Sequence, residues 1–186
     1  MLILLAILAL IVLYGVFTYN RLVSLRQAWM RAFADIDVQL KQRHDLIPNL
    51  VETVKGYAAH ESGVFTAVTQ ARATAMRATG VGERSAAEGA LSGALGNLMA
   101  VAENYPELKA NENFRQLQDE LADIENKIAA ARRFLNNAVA EYNASIQKFP
   151  AAVFASALGF APAAMFELDA ADKAEAMTPP KVTFGS

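Results

Sequence analysis

The sequence predicts an all-α protein: an N-terminal transmembrane helix followed by an elongated antiparallel four-helix bundle with coiled-coil-like seams. Three observations carry this expectation. An uncharged apolar run covers residues 2–17. Apolar side chains then recur every seven positions along two long segments. Glycine (10) and proline (6) are few, and the alternating Val, Ile and Thr pattern of strands is absent.

The first element, residues 2–19, is about as long as the ~20 residues that cross a hydrocarbon core. Tyr14 and Tyr19 stand near one end, where aromatic rings favour the membrane interface. A cleavable signal peptide would want a basic start and a small-residue cleavage site. No Lys or Arg precedes the run and bulky residues follow it, so an uncleaved anchor is expected. Arg21, Arg26 and Arg31 come next, and the positive-inside bias then puts the following domain in the cytoplasm, on a single-pass protein of the inner membrane.

Helix one continues past the anchor. Trp29, Ile36, Arg43, Leu50 and Tyr57 form one seven-residue series, and Phe33, Leu40, Ile47 and Val54 form its partner. Pro48 should kink the helix, because it has no N–H and crowds the preceding turn. A corner follows at residues 56–63. Helix two is expected over 61–79, with Val64, Phe65, Val68, Ala71 and Ala75 inward, and it stops at Gly80-Val81-Gly82. Ser85, with Glu88 three residues on, reads as a capping box opening helix three, whose inward face is Leu91, Leu95, Leu98, Ala102 and Tyr105. Gly89, Gly93 and Gly96 on this helix suggest close approach of another backbone, since each costs about 1 kcal/mol in a helix interior.

Pro106 ends or restarts that helix. Helix four, over 111–149, carries Phe114, Leu121, Ile128, Leu135, Tyr142 and Phe149 at strict seven-residue spacing, with Leu117, Ile124, Ala131 and Ala138 as the partner series. About 38 residues at about 1.5 Å each make a rod of about 60 Å. Further apolar residues flank both seams: Leu22, Leu25, Val38 and Val51 on helix one, and Phe134, Val139 and Ile146 on helix four. Such a surplus points to self-association at the membrane. The expected organisation is therefore an anchor at 1–20, a bundle at 21–149, an apolar segment at 150–168 that caps the bundle, lies on the membrane or meets a partner, and a mobile polar tail at 169–186.

Chemistry is sparse. The 17 Lys and Arg are interleaved with 19 Asp and Glu, giving a net charge of −2 and no basic stripe for nucleic acid. With no cysteine, disulfides, thiolate metal sites, Cys nucleophiles and an N-terminal lipidated Cys are excluded. His44 and His60 match no metal or catalytic spacing and read as surface or rim residues. Asp119, Glu120, Asp123 and Glu125, with Lys127, Arg132 and Arg133 nearby, read as a solvated helix face. No catalytic, cofactor-binding or metal-binding residue is expected, and no small-molecule substrate. The one oddity is Arg43, a charge on an apolar seam. It either runs its stem to the bundle edge, pairs with a carboxylate on helix four, or forms, with Asp45 and Asn49, an interaction site on the kinked segment.

The stretch Asp35-Ile36-Asp37-Val38-Gln39-Leu40-Lys41, followed by Arg43-His44-Asp45-Leu46-Ile47-Pro48-Asn49-Leu50-Val51-Glu52-Thr53-Val54-Lys55-Gly56-Tyr57, resembles the signature of the bacterial LemA family. Tyr19-Asn20-Arg21-Leu22-Val23, Tyr105-Pro106-Glu107-Leu108-Lys109-Ala110-Asn111, Ala131-Arg132-Arg133-Phe134-Leu135-Asn136, Tyr142-Asn143 and Phe149-Pro150 resemble it in the same order. The resemblance implies a membrane-anchored, four-helix-type domain and brings no catalytic residue with it. Some members are lipoproteins with an N-terminal Cys, which places their domain outside the cytoplasm; that conflicts with the charge-based orientation, and both stay open.

Three functional readings follow. The first is a non-enzymatic scaffold or adaptor of the bacterial envelope, with the lipid bilayer, a second copy of the chain and a membrane protein as partners. The second is a membrane-remodelling or membrane-stress protein acting through the apolar segment. The third is an accessory subunit of a membrane hydrolase.

Overall fold

The computed structural model describes residues 1–166, so the tail expected at 169–186 lies outside the described residues. Six helices follow one another: α1 (Leu2–Lys55), α2 (Ser62–Arg77), α3 (Val81–Glu103), α4 (Pro106–Ala110), α5 (Glu112–Gln147) and α6 (Ala151–Phe154). There is no strand among the described residues, and the all-α expectation holds.

The chain divides into two compact units. The first combines Met1–Leu40 with Asn126–Met165; the second is Lys41–Glu125 and, among the described residues, Phe166.

In the first unit the apolar run and the helix that follows it are one element. α1 begins in residues that are almost wholly exposed and becomes a packed helix at Leu22 with no break in its hydrogen bonding. Its first 18-residue window is apolar enough to cross a membrane and none of it is buried, which makes it a candidate anchor. Leu22 packs with Tyr142, Ile146, Ala151, Ala155 and Phe160, and Leu25, Trp29 and Phe154 close the cluster from the sides. The Trp29 and Tyr142 rings lie 6.3 Å apart and those of Tyr19 and Phe160 5.6 Å apart.

Part of the apolar segment therefore folds back on this core. After α6, Gly159 takes a positive φ of 77°, where a side chain would be strained, and turns Phe160 inward. The extended chain beyond it is tied to α5. Tyr142 Oη donates to the Ala161 carbonyl (3.0 Å), and the Asn143 amide makes two bonds to Ala163, accepting from its N–H (2.8 Å) and donating to its C=O (2.9 Å).

The seven-residue series on α5 is buried from Phe114 to Tyr142, but Phe149 lies past the helix end and is 84% exposed. The partner series is only half-buried. Towards the C-terminal end the second row of the stripe is Val139 and Ile146, four residues on from Leu135 and Tyr142. Most of the surplus apolar surface thus widens the core: Leu22, Val51, Val139 and Ile146 are buried and Leu25 partly so, leaving Val38 and Phe134 outside.

In the second unit Ile47, Leu50 and Val54 of α1 share a core with Phe65 and Val68 of α2, Leu91, Leu95 and Leu98 of α3, Leu108 of α4 and Phe114 of α5. Asn111 opens α5 by accepting from the Phe114 N–H (3.0 Å), a side-chain cap on an otherwise orphan donor.

Two local expectations are overturned here. α3 starts at Val81, not at Ser85; Gly80 caps it with φ 75°, and Glu83 reaches back to accept from the Thr79 N–H (3.1 Å) and hydroxyl (3.2 Å). Ser85 and Glu88 are buried inside the helix. Nor does a neighbouring backbone crowd Gly93 or Gly96: a Cβ at either would meet nothing within 4 Å.

Candidate functional site

The polar centre of the second unit is built from the one charge on the α1 seam. Arg43 is spaced seven residues from Ile36 and Leu50, so the helix turns it inward, where it is 2% exposed. A guanidinium cannot lose its charge there and must find carboxylates. Its Nη2 donates to Glu88 Oε2 and to the Glu88 carbonyl (3.5 Å). Its Nη1 donates to Glu125 Oε1 (2.8 Å) and Ser92 Oγ (3.0 Å). Among the described residues Arg43 Nε is buried without a partner.

Glu88 is shared. Its other oxygen, Oε1, accepts from His44 Nε2 at 2.8 Å, so both oxygens of this buried carboxylate are engaged. Burial pushes the Glu88 carboxyl up, but the His44 hydrogen bond and the Arg43 charge and hydrogen bond outweigh it and hold the group below its ordinary value. Burial likewise lowers Arg43, and the Glu125 and Glu88 charges more than reverse it.

Pro48 completes the cluster. It has no N–H, so the carbonyl four residues earlier, His44, loses its helix partner. α1 nonetheless runs through Pro48 to Lys55. Arg72 of α2 donates its Nε to that carbonyl at 2.6 Å, giving a buried backbone acceptor the partner the proline removed. Adjacent residues of α1 thus reach α3 and α5 through Arg43, and α2 and α3 through His44.

Of the three candidate interaction residues only Arg43 belongs to this junction, and of its open readings the structure shows the pair with a carboxylate on the long fourth helix expected from the sequence, Glu125. Asp45 and Asn49 are exposed on the outer face of α1, Asp45 pairing with Lys41 at 3.2 Å. Three readings are corrected. His44 is buried and paired rather than on the surface, whereas His60 is exposed. Glu88 is the ion-pair partner rather than a helix cap. Glu125 stays partly solvated on α5, its side chain 41% exposed, and also reaches Arg43. A signal for Glu88 was present, since positions 88, 91, 95, 98 and 102 form one inward face and the first is a carboxylate. Glu125 stands beside the seam rather than on it, so the expected pair with a carboxylate on helix four did not single it out from Asp119, Glu120 and Asp123.

Chemically the junction is closed. A substrate would have to displace Arg43 or His44 to reach Glu88. No group of three or more His, Cys, Asp or Glu among the described residues could hold a metal ion.

With this geometry in hand, the comparisons with known proteins are specific. The chain is 26% identical to the magnetosome protein MamQ of Magnetospirillum gryphiswaldense, over 76% of this chain and 62% of that protein. It is also 26% identical to the magnetosome proteins MamQ 1 and MamQ 2 of Paramagnetospirillum magneticum, over 87% of this chain and 69% of theirs. The chain therefore spans about three fifths to two thirds of the length of these curated relatives. The profile of the LemA family matches residues 32–184, which include every member of the buried junction. The chain belongs to the LemA family.

Proposed function

We propose that the chain is a membrane-anchored, non-enzymatic scaffold or adaptor of the bacterial envelope that self-associates. The observation that carries this reading is the continuity of α1. The apolar run passes into the packed helix at Leu22 without a linker, so any body built on that helix is held at a set height over the bilayer. An enzyme acting on soluble substrates gains nothing from such a joint, whereas a protein that positions partners does. The closed junction supports the same reading, since its ionisable groups bond to one another. The magnetosome relatives fit it too, as their names give a cellular structure and no reaction.

Met30 and Val38 on α1 and Phe134 on α5 are large apolar side chains left outside on the packed helices of the first unit, and they are the contacts assigned to a second copy. Confinement to a membrane raises effective concentration, so weak contacts suffice there. The anchor lies in the inner membrane, and Arg21, Arg26 and Arg31 favour a body on the cytoplasmic side.

The chain has no cysteine, so Val38→Cys and Phe134→Cys give clean single-site crosslinkers in intact membranes. Disulfide dimers at either position, with an oligomer by light scattering in mild detergent, are expected. No crosslink at both positions together with a monomer in several detergents would overturn self-association.

A further inference from the structure

The corner that joins α5 to α6 exposes more large apolar surface than a water-facing turn warrants. Phe149 is 84% exposed, Val153 73% and Leu158 50%, while their neighbours Ala151, Ala155 and Phe160 are buried. The corner is therefore a folded element that turns some apolar side chains in and holds others out.

Its depth is set by what it touches. One hollow is lined by Tyr14, Phe17 and Arg21 of α1 and by Ser145, Lys148 and Phe149 of the corner. Residues 14–21 are the end of the apolar run, where a helix starting at Leu2 leaves the ~30 Å hydrocarbon core. An element packed beside them lies in the interfacial layer. Two cations, Arg21 and Lys148, line the hollow and no carboxylate does.

We propose that this corner is a second membrane contact, with Phe149, Val153 and Leu158 entering the interface beside the anchor while Arg21 and Lys148 hold the phosphates of anionic phospholipids. The occupant is lipid because the exposed apolar surface is continuous with the candidate span and ends in two cations at headgroup height. A protein partner would have to displace lipid already at that level. The inference rests on the reading of α1 as a membrane anchor, and it adds a point of attachment that stops the body from swivelling about a single helix.

The test uses full-length chains carrying one environment-sensitive fluorophore at Ile11→Cys, Val153→Cys or Met76→Cys, in vesicles of phosphatidylcholine with or without phosphatidylglycerol. Nitroxide-labelled lipid is the quencher. Ile11 lies within the anchor, and Met76 is exposed on α2. Quenching at positions 11 and 153 but not at 76 is expected. Quenching at 11 alone would overturn the second contact and leave the anchor standing. No quenching at 11 would overturn the anchor, and this inference with it. In the Val153→Cys chain, Arg21→Gln and Lys148→Gln should each lower the insertion equilibrium ~5-fold in phosphatidylglycerol vesicles and have little effect in phosphatidylcholine alone. Equal effects in both lipids would overturn the headgroup role.

Discussion

The two units bury polar groups in different ways. In the second, two guanidiniums, two carboxylates and an imidazole meet at the junction of four helices. In the first, the chain beyond α6 is fastened by a tyrosine hydroxyl and one asparagine amide, all neutral. Both meet the same need, which is to give buried donors and acceptors partners, although Arg43 Nε has none among the described residues. They differ in what happens when a member is lost. An amide removed leaves the part-buried backbone groups of Ala163, which water can reach. A charge removed leaves its counter-charge buried, and desolvation makes that far more costly. The charged junction therefore specifies one arrangement of its helices strictly, while the neutral clamp only holds a segment down.

That contrast can be broken at its strongest point first. Arg43→Met leaves the buried Glu88 with His44 as its remaining side-chain partner and should destabilise the chain by about 3–5 kcal/mol, read as a lowered urea midpoint. Adding Glu88→Leu should recover part of the loss, because no lone charge remains; a double variant worse than the single one would mean the junction is not a coupled pair. Next, Leu91→Ala in the second unit and Leu135→Ala in the first should each cost about 2–5 kcal/mol, since both side chains are fully buried and leave cavities. Clearly unequal values in thermal melts would mean the units differ in apolar packing and not only in polar chemistry. Asn143→Ala removes two hydrogen bonds and should cost about 1–3 kcal/mol, and Tyr142→Phe, which removes one, about 0.5–1.5 kcal/mol. Smallest of all, Val38→Ser and Phe134→Ser should leave the stability of a single chain within about 0.5 kcal/mol, and the reading they sharpen is self-association, followed by sizing in detergent.

Much of the fold was legible in the sequence because helices advertise themselves by period. The uncharged run, the two interleaved seven-residue series through Ile36 and Leu50 and through Leu40, Ile47 and Val54, and the one from Phe114 to Tyr142 all lie where spacing put them. Three things were hidden, for physical reasons. Glu88 three residues after Ser85 satisfies the local capping rule, and only the tertiary partner Arg43 decides that it serves the interior instead. Pro48 orphans the His44 carbonyl, and the donor that satisfies it is Arg72 Nε, on another helix that no local pattern can nominate. The inward turn at Gly159 goes with a left-handed glycine and three side-chain bonds from α5, none of which has a periodic signature. The candidate site was half visible: Arg43 stood out as a charge on an apolar seam with a helix-four carboxylate as one of its expected partners, whereas Glu88 and His44 read as a helix cap and a surface residue.

The central claim is that the Arg43–Glu88–His44 cluster is an internal ionic joint that holds the second unit together. Glu88 titrates below its ordinary value in the folded chain. Its contribution is therefore present in full above the ordinary carboxylate pKa and is lost as pH falls through the depressed folded value. Hydrogen exchange read by mass spectrometry, corrected for the intrinsic rate at each pH, follows both units in one sample. The account predicts that, as pH drops through and below the carboxylate range, protection falls first in 41–55 and 85–98 while 135–146 keeps its own. Glu88→Gln should remove that difference in pH dependence. Protection lost in both units together, or kept by 41–55 and 85–98 as well as by 135–146, would contradict it.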